Sequence, residues 1–175
     1  MTQRPQQKET PSSRYATGQP PFAPPWPVEV DLHLHTTASD GTLSPAQLID
    51  LIGATSLKVV AITDHDATAG IDEARTHAAG LPRLTVVPGI ELGTEDGDSE
   101  IHLLGYFIDY RSRELLDTLT RFREERVEAA RQTIRKLAAL GVNISWDRVR
   151  ELAGGAVGRP HIARAMLEAG YVRSV

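Results

Sequence analysis

His33 and His35 stand two residues apart in the run Glu29-Val30-Asp31-Leu32-His33-Leu34-His35-Thr36-Thr37-Ala38-Ser39-Asp40-Gly41-Thr42. Alternate side chains of an extended strand share a face, so the two imidazoles emerge together, roughly 6 to 7 Å apart along the chain. That separation suits one metal ion. A lone His-x-His is weak evidence, but three further segments add to it. The cluster Ile62-Thr63-Asp64-His65-Asp66 follows the apolar run Val59-Val60-Ala61, which reads as a buried parallel strand ending in polar residues. A third strand-like run over 84–90 leads into Glu91, and a fourth over 101–107 opens with His102. Each of four strands thus delivers imidazole or carboxylate near one end. A metal ion held by such groups acts as a Lewis acid and lowers the pKa of a bound water.

The elements that must position these groups alternate strand and helix. Ser44 caps a helix with Pro45 at its first position and an apolar stripe of Leu48, Ile49, Leu51 and Ile52. A strand over 58–62 follows, then a helix over about 70–79 stopped by Gly80 and Pro82, then strands over 84–90 and 100–107. Strands joined by crossover helices predict an α/β fold, a parallel sheet or a (β/α) barrel, with chemistry at the C-terminal strand ends. From Arg111 the pattern turns helical: a long helix over 113–140, with Leu115, Leu116, Leu119, Phe122, Ala130, Ile134 and Leu137 mostly three or four apart, ends at Gly141. Two shorter helices over 146–152 and 160–169 are joined by the Gly-rich turn Ala153-Gly154-Gly155-Ala156-Val157-Gly158. Three helices in a row read as an insertion or cap over the site.

Composition bounds the chemistry. The 175 residues suit one domain, and 41% apolar content provides for a core. With no cysteine, any ion is held by nitrogen and oxygen, which favours manganese, iron, zinc or magnesium. No apolar run reaches membrane-spanning length and no secretory signal pattern opens the chain, so the expectation is a cytoplasmic protein without a membrane partner. Residues 1–27 hold seven of the eleven prolines and read as a disordered tail. From Val28 onward, 16 Lys and Arg face 22 Asp and Glu, a net charge of −6. That balance disfavours tight binding of duplex nucleic acid, while bound cations would reverse the local sign and admit a small anionic substrate.

The segment from Asp31 to Thr42, with Thr63-Asp64-His65-Asp66, Pro88-Gly89-Ile90-Glu91, Ile101-His102-Leu103-Leu104-Gly105-Tyr106 and Gly158-Arg159-Pro160-His161-Ile162-Ala163, resembles the polymerase and histidinol phosphatase (PHP) family. More narrowly it is similar to the stand-alone members that act as 3′,5′-nucleotide bisphosphate phosphatases and 5′-3′ exoribonucleases. The resemblance implies a distorted (β/α)7 barrel with a helical insertion and up to three divalent ions, manganese first among them. It implies metal ligation by His33, His35, Asp40, His65, Glu91 and His102, with His65 and Glu91 at the catalytic centre and Glu91 bridging two ions. Arg159 corresponds to a residue that contacts substrate phosphate, and His161 in the same motif takes a substrate or a packing role. The implied substrate is a small phosphate ester of a nucleotide, or a short RNA or oligonucleotide.

Two family motifs, His-Pro after a strand and Asp-x-His beyond it, do not occur after the helices. The expectation is therefore an incomplete barrel: a first part over 28–110, a helical insertion over 111–157 and a return segment over 158–175, with little turnover by these residues alone. Histidinol-phosphatase chemistry and a non-catalytic metal-binding module are the alternatives, and a polymerase-associated domain is a weaker one.

Other residues have plainer readings. Asp31 and Asp64 are candidates to orient the imidazoles, or strand-end residues bonded to backbone. Asp66 and Thr68 read as caps of the next helix, and His77 as a surface residue without a carboxylate companion. Asp96 and Asp98 lack the ligand ladder of a calcium loop and read as a turn. Arg121, Arg123, Arg126, Arg131 and Arg135 are interleaved with Glu124, Glu125 and Glu128, the pattern of a solvated helix face rather than an RNA guide. Trp146 reads as a packing anchor.

Overall fold

The computed structural model describes residues 28–96 and 99–174. The expected tail over 1–27 and Asp98 lie outside the described residues. Nine elements follow in the order β1 (Val30–Leu34), α1 (Pro45–Gly53), β2 (Val59–Ile62), α2 (Gly70–Ala78), β3 (Thr85–Asp96), β4 (Ser99–Tyr106), α3 (Arg113–Ala139), α4 (Trp146–Ala153) and α5 (Arg159–Glu168). The four strands form one sheet in the order β1-β2-β3-β4.

β1, β2 and β3 pair in parallel, as the crossover helices α1 and α2 require. β4 departs from the expected pattern, because no helix separates it from β3. The two strands form an antiparallel hairpin in which Glu91 lies opposite Leu104 and Gly93 opposite His102. β3 also runs past Glu91 to Asp96, longer than its apolar core predicts. Reversal of direction is what brings His102, near the start of β4, beside the C-terminal half of β3. No helix of the described residues is long and apolar enough to cross a membrane.

Helix ends follow local chemistry. Ser44 and Gln47 form a capping box ahead of Pro45, an arrangement that satisfies backbone donors at the start of α1. Leu48, Ile49 and Ile52 are buried, but Leu51, counted in the apolar stripe, is 57% exposed on the far side. Asp66 and Thr68 do not cap α2. Ala69 occupies that position without a side-chain bond, and Asp72 and Glu73 in the first turn complement the helix dipole instead. Ser112 and Ser145 accept backbone N–H bonds at the starts of α3 and α4.

Two apolar cores result among the described residues. Ile49, Ile52, Val60, Ile62, Ile71 and Val86 join the parallel strands to α1 and α2. Ala130, Val149, Ala153, Val157, Ile162 and Ala165 join α3, α4 and α5, with Trp146 against them and Arg131 4.7 Å over its ring. Burying one such Ile or Val contributes about 1.5 to 3 kcal/mol. The two cores meet where the Gly-rich turn before α5 docks on the loop after β1. There the Ala156 N–H donates to the Ala38 carbonyl at 3.2 Å, and a Cβ on Gly155 would overlap that same oxygen.

Candidate metal centre

Glu91 is the hub of the site. Its side chain, 3% exposed, projects from β3 into a ring of imidazoles from the other strands. His33 Nε2 and His35 Nε2 lie 3.0 and 2.8 Å from Glu91 Oε2, His65 Nδ1 lies 3.5 Å from the same oxygen, and His102 Nδ1 lies 2.6 Å from Oε1. Neighbouring rings stand 5.1, 4.7 and 5.0 Å apart in the order His33, His35, His65, His102. Asp40 closes one side: its carboxylate contacts His35 Nδ1 at 2.9 Å and His65 Nε2 at 3.7 Å. All six residues singled out as ligands therefore converge. Three overlapping sets, His33 with His35 and Glu91, His35 with Asp40 and His65, and His65 with Glu91 and His102, each bring three donor atoms within 4.8 Å of one another.

The elements explain the convergence. His33 is the penultimate residue of the parallel strand β1 and His35 follows its end. His65 sits in a single bridge beside Glu91 just after β2, and the β3–β4 register sets His102 across from Gly93, two residues beyond Glu91 on the same face. The loop bearing Asp40 is held by Asp64. This carboxylate, 1% exposed, accepts from the Thr36 N–H at 2.7 Å, the Thr36 hydroxyl at 2.8 Å and the Ser39 hydroxyl at 2.6 Å. Asp64 thus organises backbone and hydroxyls rather than a ring nitrogen, and Asp31 likewise accepts from the His33 N–H. Orientation of an imidazole falls to Asp40 on His35.

Electrostatics follow from this packing. The hydrogen bond to His35 holds the Asp40 carboxyl down at about 2 despite partial burial. For Glu91, burial pushes upward, but the His33 bond and the surrounding imidazoles outweigh it and the carboxyl stays below its usual range. His35 is raised because Asp40 and Glu91 overcome its burial, whereas burial lowers His65 and favours its neutral form. His65 Nδ1 is buried without a hydrogen-bond partner. A ring nitrogen with no partner, beside two carboxylates and three further imidazoles, fits a cation bound by nitrogen and oxygen.

Arg159 opens α5 and, with Ser39, Asp40, His65, His102 and Arg126, lines a cavity of about 350 Å³ over the cluster. His161, 4% exposed, accepts the Gly158 N–H at 3.0 Å through Nδ1 and so closes the start of α5. His77 stays on the surface, with Asp50 2.7 Å away as a companion that sequence reading did not supply. Two residues, Asp66 read as a helix cap and Arg126 read as part of a solvated face, have a different place in the structure. Asp66, 2% exposed and with φ at 45°, forms an ion pair with Arg126 of α3, and its second carboxylate oxygen is buried without a partner. A Cβ on Gly93 would meet Arg126 Nη2 at 2.6 Å, so the glycine makes room for that guanidinium.

Comparison with known proteins agrees with this geometry. The family model described as PHP domain matches residues 31–165. The 5′-3′ exoribonuclease Rnm of Salmonella typhimurium is 39% identical over 143 residues, which cover 80% of this chain and 48% of that protein. The 3′,5′-nucleoside bisphosphate phosphatase of Chromobacterium violaceum is 35% identical over 150 residues, covering 83% and 52%. A Bifidobacterium adolescentis structure, described as that of a metal-dependent phosphoesterase, superposes with a TM-score of 0.76 at 31% identity over 84% of this chain and 52% of its own. The chain spans about half the length of the curated relatives it matches, and its curled sheet corresponds to part of a PHP-type barrel. The chain belongs to the PHP domain family.

Proposed function

We propose that this chain carries the metal centre of a phosphoesterase that hydrolyses phosphate esters of nucleotides or short oligonucleotides. The observation that carries the proposal is the single buried carboxylate of Glu91 amid four imidazoles at 2.6 to 3.5 Å. His33, His35, Asp40, His65, Glu91 and His102 hold the divalent ions, with manganese favoured over iron, zinc or magnesium. Ions held there supply water activation near neutral pH and counter-charge for phosphoryl oxygens.

The chain's own residues do the rest. The two oxygens of Glu91 face different imidazoles, Oε2 towards His33 and His35 and Oε1 towards His102, so one carboxylate serves two donor sets. Asp40 fixes the ring of His35, and neutral His65 offers a lone pair without adding charge. Arg159, on the wall of the adjoining cavity, compensates substrate phosphate charge. Relatives named as exoribonuclease and nucleoside bisphosphate phosphatase support the substrate class. A cytoplasmic location is part of the same proposal; no helix of the described residues is long and apolar enough to cross a membrane.

The test is phosphate release by the protein expressed from its whole reading frame, with manganese. Adenosine 3′,5′-bisphosphate is expected to turn over at least about tenfold faster, by kcat/KM, than histidinol phosphate, a difference of about 1.4 kcal/mol in transition-state stabilisation. The opposite preference overturns the substrate assignment.

A further inference from the structure

A second, larger cavity of about 560 Å³ adjoins the metal centre on the α3 side. Its volume falls within the roughly 300 to 1,000 Å³ of small-molecule sites. It shares Arg126, Val157, Gly158 and Arg159 with the smaller cavity over the cluster, so two guanidinium groups stand on the boundary between them. Away from that boundary the character changes. Phe122, Ala129, Ala130 and Ile162 give apolar surface, while Thr94, Thr133, Glu125 and Asp66 give polar edges. The Asp66 carboxylate retains one buried oxygen with no partner, an acceptor that lacks a donor.

This division of chemistry selects a class of ligand. A cation cluster and two arginines take phosphate, and a flat heterocycle with N–H groups suits an apolar wall bearing an aromatic ring and spare acceptors. We infer that the α3-side cavity seats the base of the substrate, with Phe122 as its flat wall and Arg126 and Arg159 at the phosphate between base and metal centre. The inference rests on the phosphoesterase reading above and adds a requirement for a base. A sugar phosphate lacks that group, and α3 is the element that distinguishes the two ligands. Two sources share the chemistry, a free nucleoside bisphosphate and the 5′ end of an RNA.

Calorimetric titration of the whole protein loaded with manganese, using hydrolysis-resistant phosphonate analogues of the compounds below, provides the test. Adenosine 3′,5′-bisphosphate is expected to bind at least about tenfold more tightly than ribose 5-phosphate, and Phe122→Leu, which keeps apolar bulk, is expected to erase most of that ratio. Phe122→Tyr restores it. A 5′-phosphorylated dinucleotide forms a separate arm: a further tenfold gain marks an RNA end, and equal affinity marks a free nucleotide. An equal affinity of the wild-type protein for the base-containing and base-free compounds, no measurable binding of either, or a ratio unchanged in Phe122→Leu overturns the inference. Absence of turnover with the ratio intact tells against hydrolysis and leaves the base site standing, so the two readings fail separately.

Discussion

At the scale of single residues, the pairing of Asp40 with His35 has a pH signature in the metal-free protein. The Asp40 carboxyl lies near 2 in the fold against an ordinary 3.8, so its contribution to stability is complete above about 4 and disappears as pH falls through about 2. His35 is raised above 6.5, so its contribution is complete below that value and disappears as pH rises through the folded one. The stability difference between wild type and Asp40→Asn in chelator should therefore be greatest between about pH 4 and 6.5 and shrink on both sides. Urea unfolding across that range checks it, and a pH-independent difference would show that the pair is not coupled to folding.

The converging residues were legible in the sequence because His33, Glu91 and His102 lie within strands and His35 and His65 one to three residues after them, where alternation and position guide the direction of the side chain. Arg126 was not. Among five arginines mixed with glutamates it looked like part of a solvated face, although it sits four residues after Phe122 and four before Ala130, in line with the apolar stripe of α3. A charge on a buried stripe needs a partner, and Asp66, 60 residues earlier, was invisible to any local pattern. Its φ of 45° likewise left no trace in the spacing from which a helix cap was read.

Among elements, α1 follows its capping residues and α2 its stop signals Gly80 and Pro82, because those signals are local. The antiparallel direction of β4 is legible in the missing crossover helix between 90 and 100, which parallel neighbours require, whereas the strand–helix alternation, extended to β4, goes one strand too far. The turn before α5 is the element on which the Asp40 loop leans. Gly155→Ala would drive a methyl group into the Ala38 carbonyl, and the atoms it meets there, from Ala38 and Thr37, are all backbone. The expected cost is about 1 to 3 kcal/mol of stability, together with weaker manganese binding because the loop bearing Asp40 shifts. Denaturant unfolding and metal titration check the two effects, and a variant with unaltered metal affinity would detach the turn from the site.

For the molecule as a whole, the cluster gathers side chains from β1, β3, β4 and the segments that follow β1 and β2, so whatever binds it opposes unfolding of the sheet. Only Leu119 and Ala130 of the 27-residue α3 are buried, and the ion pair of Arg126 with Asp66 adds a polar tie to the strand ends. A cation bound only by the folded state stabilises by about 2.7 kcal/mol at a hundredfold excess over its Kd. For a domain of this size that amounts to a rise in Tm of roughly 5 to 10 °C on adding manganese to chelated protein. Glu91→Gln should abolish most of the rise, because it removes the charge that all four imidazoles share. Identical melting of wild type with and without manganese would sink the metal assignment.

The β3–β4 hairpin supplies both Glu91 and, opposite Gly93, His102. Its pleat makes the site sensitive to the parity of chain length. One residue inserted in β4 between His102 and Leu104 would rotate the imidazole to the opposite face of the sheet, and a second would return it, displaced by about 7 Å along the strand. Lengthening beyond the His102 pairing, towards the hairpin's far end, leaves the inner register untouched. Related chains should accordingly vary in length at that outer end while keeping the two-residue steps from Glu91 to Gly93 in β3 and from His102 to Leu104 in β4 unchanged.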